Sequence, residues 1–139
     1  MGDKVFQSLP DRARGVDAGQ FLNALFGPML AGGGGYIEVR ALHPDGGARQ
    51  TFHKTVRDAV QESVRLTGDH NVYFGAALRG WPSGKAEAVS AVPALWADID
   101  VGRDGKAYHD KRAALDAVQA FKLPPSMIVD SGGGYHAYW

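Results

Sequence analysis

The run Leu95-Trp96-Ala97-Asp98-Ile99-Asp100-Val101 places two carboxylates two residues apart in a segment that otherwise reads as a strand. On a strand Leu95, Ala97, Ile99 and Val101 share one face, and Trp96, Asp98 and Asp100 share the other. Burial of the aliphatic face fixes the register, and with it the placement of both carboxylates on a single surface. Same-face neighbours lie roughly 6–7 Å apart for a rise of about 3.3 Å per residue. That spacing suits carboxylates that flank or bridge hard cations, and Mg²⁺ is commonly held by one or two carboxylates plus phosphate oxygens. Paired ions about 3.5–4 Å apart stabilise both the attacking and the leaving oxygen in phosphoryl transfer. Aspartate is depleted in strands and two of them repel, so their alternation here calls for a cause. A solvated strand face is the competing reading, and the pair taken alone is balanced between the two.

Further along stands Asp130-Ser131-Gly132-Gly133-Gly134-Tyr135-His136. Consecutive glycines reach positive φ and let successive N–H groups converge on an anion. Ser131 adds a hydroxyl, and His136 follows in strand alternation with Tyr138. An imidazole there can donate to a phosphate oxygen or protonate a leaving group. A plain hairpin turn followed by a half-buried histidine is the simpler account of this segment by itself. His43, His53, His70 and His109 fall near predicted element ends without ligand spacing, and read as surface residues.

The elements that must position these groups follow from periodicity. Residues 1–16 read as a loosely held lead-in, and residues 17–139 as one domain. Asp17 is set to cap a helix carrying Phe21, Leu22, Leu25, Phe26 and Met29, which Gly27-Pro28 should end or kink. Tyr36 to Leu42 alternates as a strand, with Arg49 to His53 as its hairpin partner across Pro44-Asp45-Gly46-Gly47. Thr55-Val56-Arg57-Asp58 resembles a capping box opening a second helix with a stripe of Val56, Ala59, Val60 and Val64. Strands follow over Asn71 to Arg79 and Pro93 to Val101, then a helix over Asp110 to Phe121 stopped by Pro124-Pro125. Short strands over Met127 to Val129 and Tyr135 to Trp139 flank the Gly turn. This order predicts an α+β fold, a mostly antiparallel sheet with helices packed on it.

Composition excludes several classes. The chain has 139 residues, 45% hydrophobic and 22% charged, with 15 basic and 15 acidic side chains, so no global field draws a polyanion. Without cysteine there are no disulfides and no thiolate zinc sites in these residues. No signal peptide or bilayer-length apolar run stands out, which makes cytoplasmic location, without membrane attachment, the expectation.

Together the two stretches resemble the catalytic core of the archaeo-eukaryotic primase superfamily, in particular its phage- and plasmid-type primase-polymerase, or RepB-like, domains. Asp98-Ile99-Asp100 looks like the first family motif, an Asp-x-Asp after a hydrophobic run. Ser131 to His136 looks like the second, a small-residue turn ending in His. Asn71 to Arg79 is similar to the strand that commonly precedes them. The resemblance spans roughly residues 68–139 and extends to the N-terminal half in element order only.

The resemblance implies an RRM-like core in which Asp98 and Asp100 bind catalytic Mg²⁺ or Mn²⁺. His136 would contact the triphosphate of an incoming nucleotide, in a pocket shaped by Ser131, Gly132, Gly133 and Gly134. It implies an enzyme that joins nucleoside triphosphates on a single-stranded DNA template in the replication of a phage, plasmid or mobile element, in some members with a helicase module. Arg79 is a candidate phosphate or template contact; Lys85 and Arg103 are weaker ones. Trp96, Tyr135 and Tyr138 are candidates for base stacking, with simple core packing as the competing role. A third family motif, an acid on a later strand, has no counterpart before the chain stops at Trp139. The expectation is therefore an enzyme core incomplete at its C-terminus, a fragment or truncated product without full polymerase activity in these residues alone. Glu38 and Asp130 are the acids available as substitutes, Asp130 more naturally as a support for the turn.

Two other classes compete. A sugar-nucleotide transferase also holds a metal with Asp-x-Asp, but leaves the Gly-x-His segment without a role. A non-catalytic single-stranded nucleic-acid-binding module, or an inactive fragment, needs no metal, although the signature strand of RNA-recognition modules is missing. A rolling-circle nuclease is excluded, because His136-Ala137-Tyr138 lacks the required histidine pair.

Overall fold

Residues 11–139 are described in the computed structural model, with side chains from residue 18 onward. The chain divides into two compact units between Pro93 and Ala94, where the sequence reading treats 17–139 as one body. Both units mix helices with antiparallel sheet, so the class is α+β.

In the first unit, helix α1 (Asp11–Ala31) begins before Asp17, taking in part of the expected lead-in; residues 1–10 lie outside the described residues. Leu22, Leu25 and Phe26 are buried along one stripe, and Phe21 and Phe26 meet Phe74 edge-on at 5.3 and 6.4 Å between ring centroids. The helix continues through Pro28 to Ala31, so of the two expected outcomes, an end or a kink, it does not end there. Proline inside a helix costs about 3 kcal/mol through the lost N–H and a clash with the preceding turn. With the helix so close to its end, little ladder is lost, and the buried aromatic stripe outweighs it.

Strands β1 (Ile37–Leu42) and β2 (Ala48–His53) form the predicted hairpin, with Ile37 opposite His53. Helix α2 (Val56–Leu66) starts at Thr55, whose hydroxyl accepts from the Asp58 N–H at 3.1 Å. Its buried residues are Ala59, Ser63 and Leu66, so the stripe is rotated from the expected one; Ser63 is accommodated by donating to the Ala59 carbonyl at 2.7 Å. The strand expected over 71–79 is two: β3 (Asn71–Phe74) pairs with β1, and β4 (Leu78–Arg79) pairs with β5 (Val89–Ala91). The break follows Gly75, whose N–H donates to the Glu38 carbonyl at 2.9 Å.

The second unit is a three-stranded antiparallel sheet of β6 (Trp96–Asp100), β7 (Met127–Asp130) and β8 (Gly134–Tyr138), in the order β6-β8-β7. Helix α3 (Lys111–Gln119) connects β6 to β7 and packs against β8 through the buried Ala114 and Val118. Asp110 caps it, accepting from the Ala113 N–H at 2.8 Å. Since β6 and β7 both run antiparallel to β8, they are parallel to each other, and β8 lies between them as the return strand. Among the described residues no helix is long and apolar enough to cross a membrane.

Candidate functional site

Register across the second unit's sheet decides which side chains meet. Leu95 and Trp139 exchange both backbone hydrogen bonds, at 3.0 and 2.8 Å. Alternation then makes Ala97–Ala137 and Ile99–Tyr135 hydrogen-bonded pairs, and Asp98–His136 a non-hydrogen-bonded pair, the kind in which facing side chains come closest. The His136 Nε2 lies 3.3 Å from Asp98 Oδ1. Asp100, two residues along β6, faces Gly134 on the same side of the sheet. Asp98, Asp100 and His136 thus share one surface, away from the face that carries Ala97, Ile99, Tyr135 and Ala137.

The three differ in exposure. His136 sits on the central strand with its side chain 6% exposed, while Asp98 on edge strand β6 is 40% exposed. A buried, fixed imidazole therefore meets a carboxylate that solvent still reaches. Asp100 is more open, and its Oδ2 accepts from Lys106 Nζ at 2.5 Å. Lys106 went unnoticed in the sequence. It lies in the Gly102-Arg103-Asp104-Gly105-Lys106 segment that leaves β6, which carries no periodicity to mark it.

The Gly turn follows Asp130 and leads into β8. Gly132 adopts φ +85°, and its N–H donates to Asp130 Oδ1 at 2.8 Å. The Ser131 N–H donates to the Gly134 carbonyl at 3.1 Å. Two of the turn's N–H groups thus close the hairpin itself. Gly134 is a site of close approach: a Cβ there would overlap the Ile99 carbonyl oxygen across the sheet. Asp130 lies on the α3 side, where Lys111 Nζ donates to Oδ1 and also sits 5.5 Å from the centre of the Tyr135 ring. The hydrogen bond from Lys111, then that from Gly132, hold the Asp130 carboxyl below its ordinary range. Asp130 supports the turn, as the sequence suggests.

The remaining candidates divide. Tyr138 is buried, Tyr135 faces α3, and Trp96 is half exposed beside Asp98. An apolar groove of about 540 Å³, lined by Leu95, Ala97, Ile99, Val118, Phe121 and Trp139, lies on the α3 side and does not include the carboxylates. Arg79 and Glu38 belong to the first unit, where Arg79 Nη2 pairs with Glu38 Oε2 at 2.6 Å with side chains 13% and 6% exposed. Gln50 donates to the other Glu38 oxygen at 2.8 Å, and Arg79 Nη1 donates to the Lys85 carbonyl at 3.1 Å. The Arg79 guanidinium is thus engaged in an internal ion pair. Both expected third acids, Glu38 and Asp130, have a cationic partner.

Two half-exposed carboxylates on one face match the donor type and number that Mg²⁺ or Mn²⁺ takes from protein when phosphate oxygens supply the rest. Among the described residues no group of three such ligands converges. Comparison of the chain with protein-family models, with curated proteins and with solved structures returned no match.

Proposed function

We propose that the Asp98–Asp100–His136 surface is the metal and triphosphate site of a template-directed nucleotidyl transferase, of the primase-polymerase kind, working on single-stranded DNA. The observation that carries this reading is the meeting of Asp98 and His136 across β6 and β8, at 3.3 Å, with Asp100 on the same face. In this reading the second unit is part of an RRM-like catalytic core.

Asp98 and Asp100 hold Mg²⁺ or Mn²⁺, whose chemistry when bound is to neutralise charge on the α-phosphate and on the leaving pyrophosphate. Asp98 orients the imidazole through Nε2, Asp98 and Asp100 would hold the cation, and His136 would offer an N–H to a triphosphate oxygen. The 3′-hydroxyl oxygen bonds to the α-phosphorus, the bond to the bridging oxygen of pyrophosphate breaks, and the hydroxyl proton passes to water. Such a displacement depends on positioning and electrostatics more than on covalent help from the protein.

Calorimetric titration of Mn²⁺ with a nucleoside triphosphate tests the site. Coupled binding is expected, lost in the Asp98→Ala/Asp100→Ala double variant; binding unchanged by those substitutions would refute the assignment. Retention of single-strand affinity without metal would favour a non-catalytic binding module instead.

A further inference from the structure

The carboxylate surface carries its own cation. After β6 the chain loops through 102–108 and returns, with the Gly102 N–H donating to the Tyr108 carbonyl at 3.0 Å and Val101 bridging Tyr108 in parallel fashion. The loop lays the Lys106 stem over Gly102: a Cβ at Gly102 would lie 3.2 Å from Lys106 Cγ, tighter than ordinary contact. The missing side chain at Gly102 is thus the space through which the lysine reaches back to Asp100 Oδ2. Both partners stay partly open, at 43% and 57% exposed, so the pair can part without opening a core.

We infer that Lys106 is a positioning residue that holds the place of the cation at Asp100 and then moves to the phosphates of the bound nucleotide. This rests on the metal reading above. With no metal present, Nζ neutralises one of two like charges set on one face, which relieves their repulsion and keeps the carboxylates together. A divalent ion competes for the same oxygen and displaces the ammonium, which is tethered within a few ångströms of a site then filled by anionic phosphate. Lysine suits the exchange because its ammonium is a compact point charge on a flexible stem, a good phosphate binder with no fixed fork geometry to break. The contribution of Lys106 therefore changes sign: it opposes metal alone and favours metal with triphosphate.

The test is Mn²⁺ binding followed by electron paramagnetic resonance and calorimetry on the whole chain, for wild type, Lys106→Met, Lys106→Arg and the double aspartate variant. Removal of a partly exposed ion pair predicts Mn²⁺ binding about two- to fivefold tighter in Lys106→Met, an effect that shrinks at high salt. Lys106→Arg should restore the competition. With Mn²⁺ saturating, Lys106→Met should bind triphosphate at least about threefold more weakly, with nucleoside binding unaltered, as loss of a phosphate-directed charge requires. Mn²⁺ affinity equal in wild type and Lys106→Met, but lost in the double aspartate variant, would overturn the role of Lys106 and leave the metal site standing. Mn²⁺ affinity indifferent to the aspartates would overturn the metal site and this inference with it.

Discussion

Replacement of Gly134 by alanine bears most directly on how the candidate site is held. Gly134 faces Asp100 in the β6–β8 register, two pairs along from Asp98–His136, and a Cβ there would overlap the Ile99 carbonyl oxygen. Because that oxygen belongs to backbone rather than to a pliable side chain, the strands must separate locally. Overpacking of this sort costs about 1–3 kcal/mol. The nearby bonds from Val101 N–H to the Gly133 carbonyl and from Ser131 N–H to the Gly134 carbonyl, 3.0 and 3.1 Å long, are each worth about 0.5–1.5 kcal/mol net. Loss of both brings the expected cost of Gly134→Ala to about 2–6 kcal/mol. The neighbouring glycines supply controls. Gly132→Ala meets no atom within 4 Å but must hold φ +85°, a left-handed strain of about 1–2 kcal/mol. Gly133→Ala meets open space without that φ and should lie within about 0.5 kcal/mol of wild type. Urea unfolding read by hydrogen exchange of β8 amides ranks the three in the second unit itself. If Gly134→Ala proved no more damaging than Gly133→Ala, the close approach that sets this register would be wrong, and the placement of Asp98 against His136 with it.

Two further outcomes are expected. Arg79→Met should destabilise the first unit by about 3 kcal/mol, because it strands the buried Glu38 carboxylate, with recovery in Glu38→Gln/Arg79→Met; a loss of nucleotide or template binding with stability unchanged would instead make Arg79 a ligand contact. The Asp130 carboxyl is held below its ordinary range by Lys111 and the Gly132 N–H, so its support of the turn is complete above the unfolded-state pKa and is lost as pH falls through the lower folded value; carbon-detected NMR titration should place Asp130 below the ordinary aspartate range and Lys111→Met should raise it, and an Asp130 value indifferent to Lys111 would refute the pairing.

Much of the arrangement was legible because it depends on period-two alternation and local turn chemistry. The alternation Leu95-Trp96-Ala97-Asp98-Ile99-Asp100 determines one face irrespective of partner, and the Ser131 to Gly134 turn forces the strand after it to pair backwards with the strand before it. The cap at Thr55 was equally local, a side-chain oxygen and an N–H three residues on. What the sequence could not reveal was long-range. The partner of Arg79 is Glu38, distant in sequence and brought near only when β4 turns away from β3 after Gly75. The persistence of α1 through Pro28 is likewise a tertiary result, set by what Phe21 and Phe26 find in Phe74. Lys106 was missed because the approach of a loop to its own strand end has no periodicity.

Of the two segments first singled out, the glycine turn changed its meaning more than the acids did. Two of its N–H groups, those of Gly132 and Ser131, bond Asp130 and the Gly134 carbonyl, so the turn also serves to set register. The absence of a side chain at Gly134 lets β8 come close enough to β6 for an imidazole on the central strand to meet a carboxylate on the edge strand. A cradle of amides would recognise phosphate through the turn alone. Under the proposed reading, a turn that sets register leaves that recognition to His136 and Lys106, both of which face a carboxylate. Triphosphate affinity should therefore respond more strongly to these two side chains than to substitution at Gly133.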